Sequence, residues 1–568
     1  MPAQQHTAKL KVEIDGRPFP DPVDSAVVSA FVDNCSSVPD MFQISIRDPH
    51  RTVLADTGAK VGSKAKIKVF SEAEPGGELL VSGEVTALEA EFDPDGTMTV
   101  IRGFDPSHRL FRGRVTESYT NVTYSDVAGK VAQRAGLDVG TIDPAPTVHQ
   151  HVSQSNVNDW QFLRGLADEI GFETGCVDGK FEFRRPVRAA DAPGTGSLTA
   201  DGPLQLTLGT TLLRFRSIVT AAEQVKQVKV RGWDVAQKQS VVGVAPAETM
   251  GAAIGVRPDT LASVFNSPDY VSVSTPFGSQ AEVDAAARAL AEQIAGAFAE
   301  FEGLARGNPK LRAGRAISLG LVKDPFDGKY TVTSTRHCYD ARDGYTVRFT
   351  ASGRQERSLF GLTSGSGSGS GTTMGPPIYG VVPALITDVN DPENLGRVKL
   401  KFPWLSDSFT TDWARTVQLA AGSKRGGVFV SEVNDEVLVA FEQGDVRRPY
   451  VMGGLYNGVD KPDLGDGLVD GSGAVVQRSF VSKKGHRLVF NDDSSKSGVT
   501  IRTGDGNVEV TLDASATKVI IKSTGDVEVT GVNIKVEASS SLELKGGSGV
   551  TIDGGPSVKV TGGVIQLN

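Results

Sequence analysis

Histidine is scarce in this chain, seven residues in all, and two of them, His149 and His151, stand two apart. On a strand such a pair points to one side and could grip a metal ion, but no nearby Cys or acidic residue completes a ligand set. A surface or interface role for the two rings is the stronger reading. Cys35, Cys176 and Cys338 are odd in number and widely spaced, with no Cys-x-x-Cys, which suits small buried thiols in a reducing compartment. Acidic and hydroxyl residues are plentiful, yet there is no Gly-x-Ser-x-Gly elbow, no His-Glu-x-x-His and no convincing carboxylate pair. Nothing in the chain therefore points to catalytic, cofactor-binding or metal-ligating residues, and the expectation is a protein that is not an enzyme.

The elements explain more than the reactive groups do. At 568 residues with 65 glycines, 39% hydrophobic and 7% aromatic residues, the chain has the turn-rich composition of a mainly β, multidomain protein. Its formal charge of −9, with no basic cluster, argues against nucleic acid as a partner. The start, Met1-Pro2-Ala3-Gln4-Gln5-His6, has no basic region followed by an apolar run, and no apolar stretch reaches membrane-spanning length. Synthesis in the cytoplasm is expected, with any exit by a route that needs no signal peptide.

Alternating apolar and polar residues predict a first β-barrel over 1–105, without helices of note. An α/β segment follows over 106–185. One helix is expected there with Ser125 as cap and Gly136 as stop, and a second from near Asn158 to Gly171. Residues 186–362 read as a second barrel carrying a long Ala-rich helix from about Ser279 to Glu302. A Ser/Gly linker occupies 363–377, with Ser364 to Gly371 strictly alternating. Residues 378–456 suit a small OB-fold barrel, and 457–490 form a connector.

The last stretch, 491–568, consists of short strands recurring at about eight residues with Gly, Ser, Asp or Thr between them. It contains no aromatic residue, Met, Cys or His after Asn491. In each unit two or three apolar residues stand two apart: Val508 and Val510, Val527 and Val529, Ile534 and Val536, Leu542 and Leu544, Val550 and Ile552, Val558 and Val560. One chain has nowhere to bury that face. Three copies around one axis would place it inside a narrow prism and pair each strand with its neighbours. The expected fold is thus a β-barrel hub with small α/β insertions, an OB-fold barrel and a C-terminal trimeric, triple-stranded β-helix.

The barrel carries a resemblance. Asp391-Pro392-Glu393-Asn394-Leu395-Gly396-Arg397-Val398-Lys399, Phe402-Pro403-Trp404-Leu405, Trp413-Ala414-Arg415, Asp435 to Glu442 and Gly444 to Gly453 resemble, in order and spacing, the VgrG-type spike proteins of contractile injection systems, which are similar to phage tail hubs and spikes. Arg112-Gly113-Arg114 with Tyr119, the unit from Ser155 to Gly171, and Gly307 to Gly314 resemble the hub module. The resemblance implies a homotrimer docked through its hub on a hexameric inner tube and baseplate proteins. It also implies a β-helix that pierces a target membrane and travels with cargo or effectors.

The chain departs from armed relatives. The connector is too short for a lysozyme domain, no toxic enzyme is expected after the needle, and there is no tip histidine beyond His486. The blunt end at Val564, Ile565, Leu567 and Asn568 is expected to dock a separate PAAR-like tip protein. The short chain and linker lean toward an extracellular phage-tail-like particle over a type VI secretion system. Two other functions remain open at this point: a trimeric adhesin-type binding fibre, which the aromatic-free end disfavours, and a cell-envelope hydrolase, which lacks a motif.

Overall fold

The computed structural model describes residues 8–71, 74–94, 96–194, 202, 204–341, 344–353, 377–463 and 467–566. The expected Ser/Gly linker, 363–377, lies outside them apart from Pro377. Contacts divide the chain into two units, Met1–Asn457 and Gly458–Asn568. The architecture is mainly β, as its composition implied.

The period-2 patterns of the first unit form an antiparallel sheet of eleven strands. Its centre is the ladder between Ser334–Asp340 and Val27–Cys35, which pairs Ser334 with Cys35 and Asp340 with Ser29. On one side of this ladder the strands come from residues 9–104 and cover a core built on Phe42, Ile44, Ile67 and Ile101. On the other side lie Gly344–Ala351, Ala299–Arg306 and Leu212–Val219, over a core that includes Phe301 and Phe349. In that second core Phe301 stacks on Phe215 at 5.8 Å and on Phe349 at 5.6 Å, with Tyr330 tilted at 5.5 Å. The two stretches read as separate barrels thus keep separate cores but share one hydrogen-bonded sheet. The first is not free of helix: Asp21–Ser25 and Val53–Thr57 each make about one turn.

Between these cores the chain builds an α/β segment around Trp160, Phe162, Phe181 and Phe183. The helix Tyr124–Arg134 is capped two residues earlier than expected. Thr123, not Ser125, accepts from the Asp126 amide, and Asp126 returns the bond in a capping box. Ser125 instead donates to the Asp143 carbonyl at 2.7 Å, so its hydroxyl ties the helix to a following loop. Asp159–Ile170 follows its expected limits. Asn158 caps it, and Gly171 ends it at φ 73°, a left-handed position that glycine adopts without a Cβ penalty.

The long Ala-rich helix is shorter than its composition suggested. It spans Gln280–Gly296, with Ser279 and Glu282 forming a capping box. Residues from Ala299 belong to the strand Ala299–Arg306, because Phe301 is drawn into the second core. The helix lies on a three-stranded sheet of Gln227–Asp234, Gln239–Pro246 and Tyr270–Ser272. Small residues allow the approach: a Cβ on Gly243 would sit 2.2 Å from the Val283 carbonyl oxygen. Gly243→Ala is therefore expected to force helix and sheet apart and lower stability by about 1–3 kcal/mol, read as a reduced urea midpoint for the full-length protein.

In the second unit, five strands form one antiparallel meander: Gln477–Val481, Arg487–Asn491, Gly498–Arg502, Val508–Asp513 and Lys518–Ser523. The first of them falls within the stretch assigned from the sequence to a connector. Past Ser523 no hydrogen-bonded strand is present among the described residues. Among the described residues, no helix of either unit is long and apolar enough to cross a membrane.

Candidate functional site

Three places could carry function: the small barrel, the contact it makes with the α/β segment, and the strand-like repeats at the end of the chain.

The barrel orders its strands as Lys399–Lys401, Val381–Asp388, Glu436–Phe441, Pro449–Gly454 and Arg415–Thr416. The ring is closed by a bridge between Val398 and Ala414, which exchange amide bonds of 2.9 and 2.7 Å. Closure removes the free edges that an open sheet of this size would expose. Phe402, Phe409, Leu400, Val437 and Val439 fill its interior. The loop before Lys399 is organised by Asp391, whose carboxylate accepts from the amides of Glu393, Leu395 and Arg397. It also takes two guanidinium bonds from Arg397, at 3.1 and 2.6 Å. Those bonds, the Arg397 pair first, hold the Asp391 carboxyl well below the usual carboxylate range. The loop bends through left-handed backbone at Asn394 (φ 54°) and Gly396 (φ 71°), residue types that tolerate it. The sequence motif from Asp391 to Arg397 is thus one charge-stapled turn. Asp391→Ala should cost about 2–4 kcal/mol, with faster hydrogen exchange at residues 393–397 as the local readout.

The barrel meets the α/β segment through a buried charge cluster. Arg447 donates to Glu169 of the helix Asp159–Ile170 at 3.1 Å and to Asp445 at 2.8 Å; Tyr124 donates its hydroxyl to Glu169 at 2.5 Å. Burial pushes the Glu169 carboxyl up, against the pull of Arg447 and Tyr124. Beside the cluster, His151 Nε2 lies 2.9 Å from the Thr410 carbonyl, which also accepts from Ser118, and His149 stacks on Tyr124 at 4.2 Å. The two histidines therefore sit in an interface between barrel and α/β segment. No group of three or more His, Cys, Asp or Glu among the described residues could hold a metal ion. The motif around Asp445 and Arg447 was visible in the sequence, but its partner Glu169 is 278 residues away in the chain, and no pattern links them.

Burial lowers the pKa of both His149 and His151 in the folded protein. A lowered histidine favours the fold at pH above its ordinary value near 6.5, and that contribution fades as pH falls. The interface should accordingly loosen below about pH 6, seen as faster hydrogen exchange at residues 149–151 and 409–411. Arg447→Met leaves two buried acids without their cation and should cost about 3–5 kcal/mol, freeing the same segments at neutral pH.

The terminal repeats have a different character. Val508, Val510 and Leu512 lie in the meander, where Val510 is half-buried. From Val527 through Val529, Ile534, Val536, Leu542, Leu544, Val550, Ile552 and Val558 to Val560, every candidate core residue is exposed, by 53–70%. Val564 and Ile565 are exposed as well, while Leu567 and Asn568 lie outside the described residues. Within one chain these residues are not brought together. The expected β-helix has no counterpart in the hydrogen bonding of a single copy beyond Ser523.

Residues 382–456 match the family model of the type VI secretion system/phage-baseplate injector OB domain. A second model, the Alg8 N-terminal domain, matches 64–340, a span that begins inside the first core. Among curated proteins the chain is 35% identical over 92 residues to the spike protein VgrG2a of Pseudomonas aeruginosa, covering 16% of this chain and 11% of that one. It is 38% identical over 69 residues to VgrG3 of Vibrio cholerae, covering 11% and 7%. The aligned stretches thus take in about a tenth of the length of these relatives. In fold it is similar to a chain of the half-lidded Francisella PdpA-VgrG complex, with a TM-score of 0.55 at 9% identity over 92% of this chain and 89% of that one. A chain of the lidless complex gives 0.53 at 7% identity over 92% and 99%. An injector OB domain is thus shown over residues 382–456, and the fold of the chain is similar to that of chains in the PdpA-VgrG complexes.

Proposed function

We propose that the chain is the hub and spike of a contractile, phage-tail-like injection particle, working as a homotrimer. The carrying observation is the run from Val527 to Ile565, where apolar residues recur two apart and lie exposed, with no strand partner in the same chain. Burying such side chains is worth about 1.5–3 kcal/mol each, so cover by identical chains is the economical solution. We infer two regimes along the spike. From Gln477 to Ser523 each chain pairs its own strands, and three such sheets would pack by their apolar faces. Beyond Ser523, where a single copy forms no strand ladder, backbone groups would pair with the other two chains, giving the triple-stranded β-helix.

The remaining assignments rest on the same reading. The hub cores and their shared sheet would seat on a hexameric inner tube and baseplate proteins, with the OB barrel as the collar. Val564 and Ile565, with Leu567 and Asn568, would dock a PAAR-like tip protein. The role is mechanical: shortening an interwound prism means breaking many backbone hydrogen bonds at once, which suits an element driven through a membrane. Cargo or effectors would travel with it, in an extracellular particle or a type VI machine. The reading assigns no catalytic residue.

Mass measurement in solution tests it. Full-length protein should be a trimer, and Val529→Asp, which would place three like charges on the axis, should yield monomers. A well-folded wild-type monomer, or a variant trimer as stable as wild type, would overturn the proposal.

A further inference from the structure

Eight strands of the large sheet run in one unbroken antiparallel series. It starts at Leu212–Val219, passes through Ala299–Arg306, Gly344–Ala351, Ser334–Asp340, Val27–Cys35, Met41–Arg47 and Gly96–Phe104, and ends on the second half of Glu74–Asp93. The first half of that last strand pairs on its far side with Lys64–Ser71, but the ladder stops where Glu84 meets Lys64. From Ala87 to Asp93 the far edge has no strand partner among the described residues, and neither has the outer edge of Leu212–Val219. Phe92 at one edge is 80% exposed, and Leu213 and Ile218 at the other are exposed too. Open edges of this kind are templates for pairing with another chain.

The two edges match in three respects. The first is the phase of their backbone groups. The Thr220 amide donates to the Phe298 carbonyl at 2.8 Å, so by alternation along the ladder the amides of Phe215, Ser217 and Val219 point outward. At the other edge the Asp48 amide donates to the Thr97 carbonyl at 2.9 Å, which commits Thr97, Thr99 and Ile101 to Met41–Arg47. Met98 and Val100 then bond Glu91 and Glu89, and the amides of Leu88, Ala90 and Phe92 point outward.

The second is the pleat. Phe215 packs on the second core and Leu88 on the first, so at both edges the residues with outward amides carry their side chains on the core face. The third is charge. The opposite face presents Arg214 and Arg216 at one edge and Glu89 and Glu91 at the other. Arg214 and Glu91 are exposed and in no ion pair among the described residues, and Arg216 reaches Glu302 only at 3.9 Å. Because the series has an even number of alternating strands, its first and last run in opposite directions. Rotation about an axis along the strands therefore brings the last strand of one copy antiparallel to the first strand of the next.

Resting on the trimer reading above, we propose that each copy pairs Ala87–Asp93 with Leu212–Val219 of the next copy, so that three series of eight close into one ring of antiparallel strands. The register of fullest overlap sets Arg214 opposite Glu91 and Arg216 opposite Glu89, with Phe215 opposite Ala90 between them. Closure removes both open edges of the hub, and the opposed charges favour this pairing over like edges meeting.

Disulfide trapping in the full-length protein tests the joint. Arg214→Cys together with Glu91→Cys places thiols at a non-hydrogen-bonded pair, where Cα atoms lie about 4.5 Å apart, within reach of a disulfide. Mild oxidation should convert the double variant to covalent trimer on a non-reducing gel, and neither single variant should cross-link. A trimer by mass that stays uncross-linked would overturn the ring and leave the trimer standing; a monomer by mass would overturn both. Hydrogen exchange on the wild-type protein reads the joint without substitution. The amides of Leu88, Ala90, Phe215 and Ser217 should exchange at least about a hundredfold slower than open-edge amides, and exchange at the open rate would also overturn the ring.

Discussion

A β-strand brings two obligations with it: its backbone edge must find hydrogen-bond partners and its apolar face must be covered. The first unit meets both within one chain. The ladder from Ser334–Asp340 to Val27–Cys35 merges strands of two cores into a single sheet of eleven. Neither core has to protect an inner edge of its own. The injector OB domain meets the same obligation by closure, through the Val398–Ala414 bridge. Among the described residues after Ser523 the chain meets neither obligation alone, and this is the physical basis of the proposed trimer.

Charge is placed with equal economy. Ion pairs exposed on strand surfaces contribute little, but the groups buried at seams are built into networks. Asp391 is satisfied five times over by one turn. Arg447 is shared between Glu169 and Asp445, so the contact between barrel and α/β segment depends on a fixed geometry rather than on area alone. Such networks specify one arrangement because any shift leaves a buried charge unpaired.

Local chemistry was readable where it is local. Asn158 and Gly171 bound their helix as expected because capping depends on adjacent backbone groups. The Asp391 turn was recognisable for the same reason, since all its partners lie within six residues. One misreading has a long-range cause: the Ala-rich helix stops at Gly296 because Phe301 packs in a core assembled from Phe215, Tyr330 and Phe349.

By itself, the sequence determined the mainly β class, the barrel motif and the two-residue apolar period of the ending, because these follow from side-chain alternation and short-range turns. Only the tertiary structure decided that the two barrel-like stretches share one sheet, that His149 and His151 belong to an interface, and that Glu169 finds Arg447. It also decided that, among the described residues, strand pairing within one chain ends at Ser523. Each of these depends on which backbone edges and buried charges meet across hundreds of residues, and that choice is made by competition among all strands at once rather than by any local pattern.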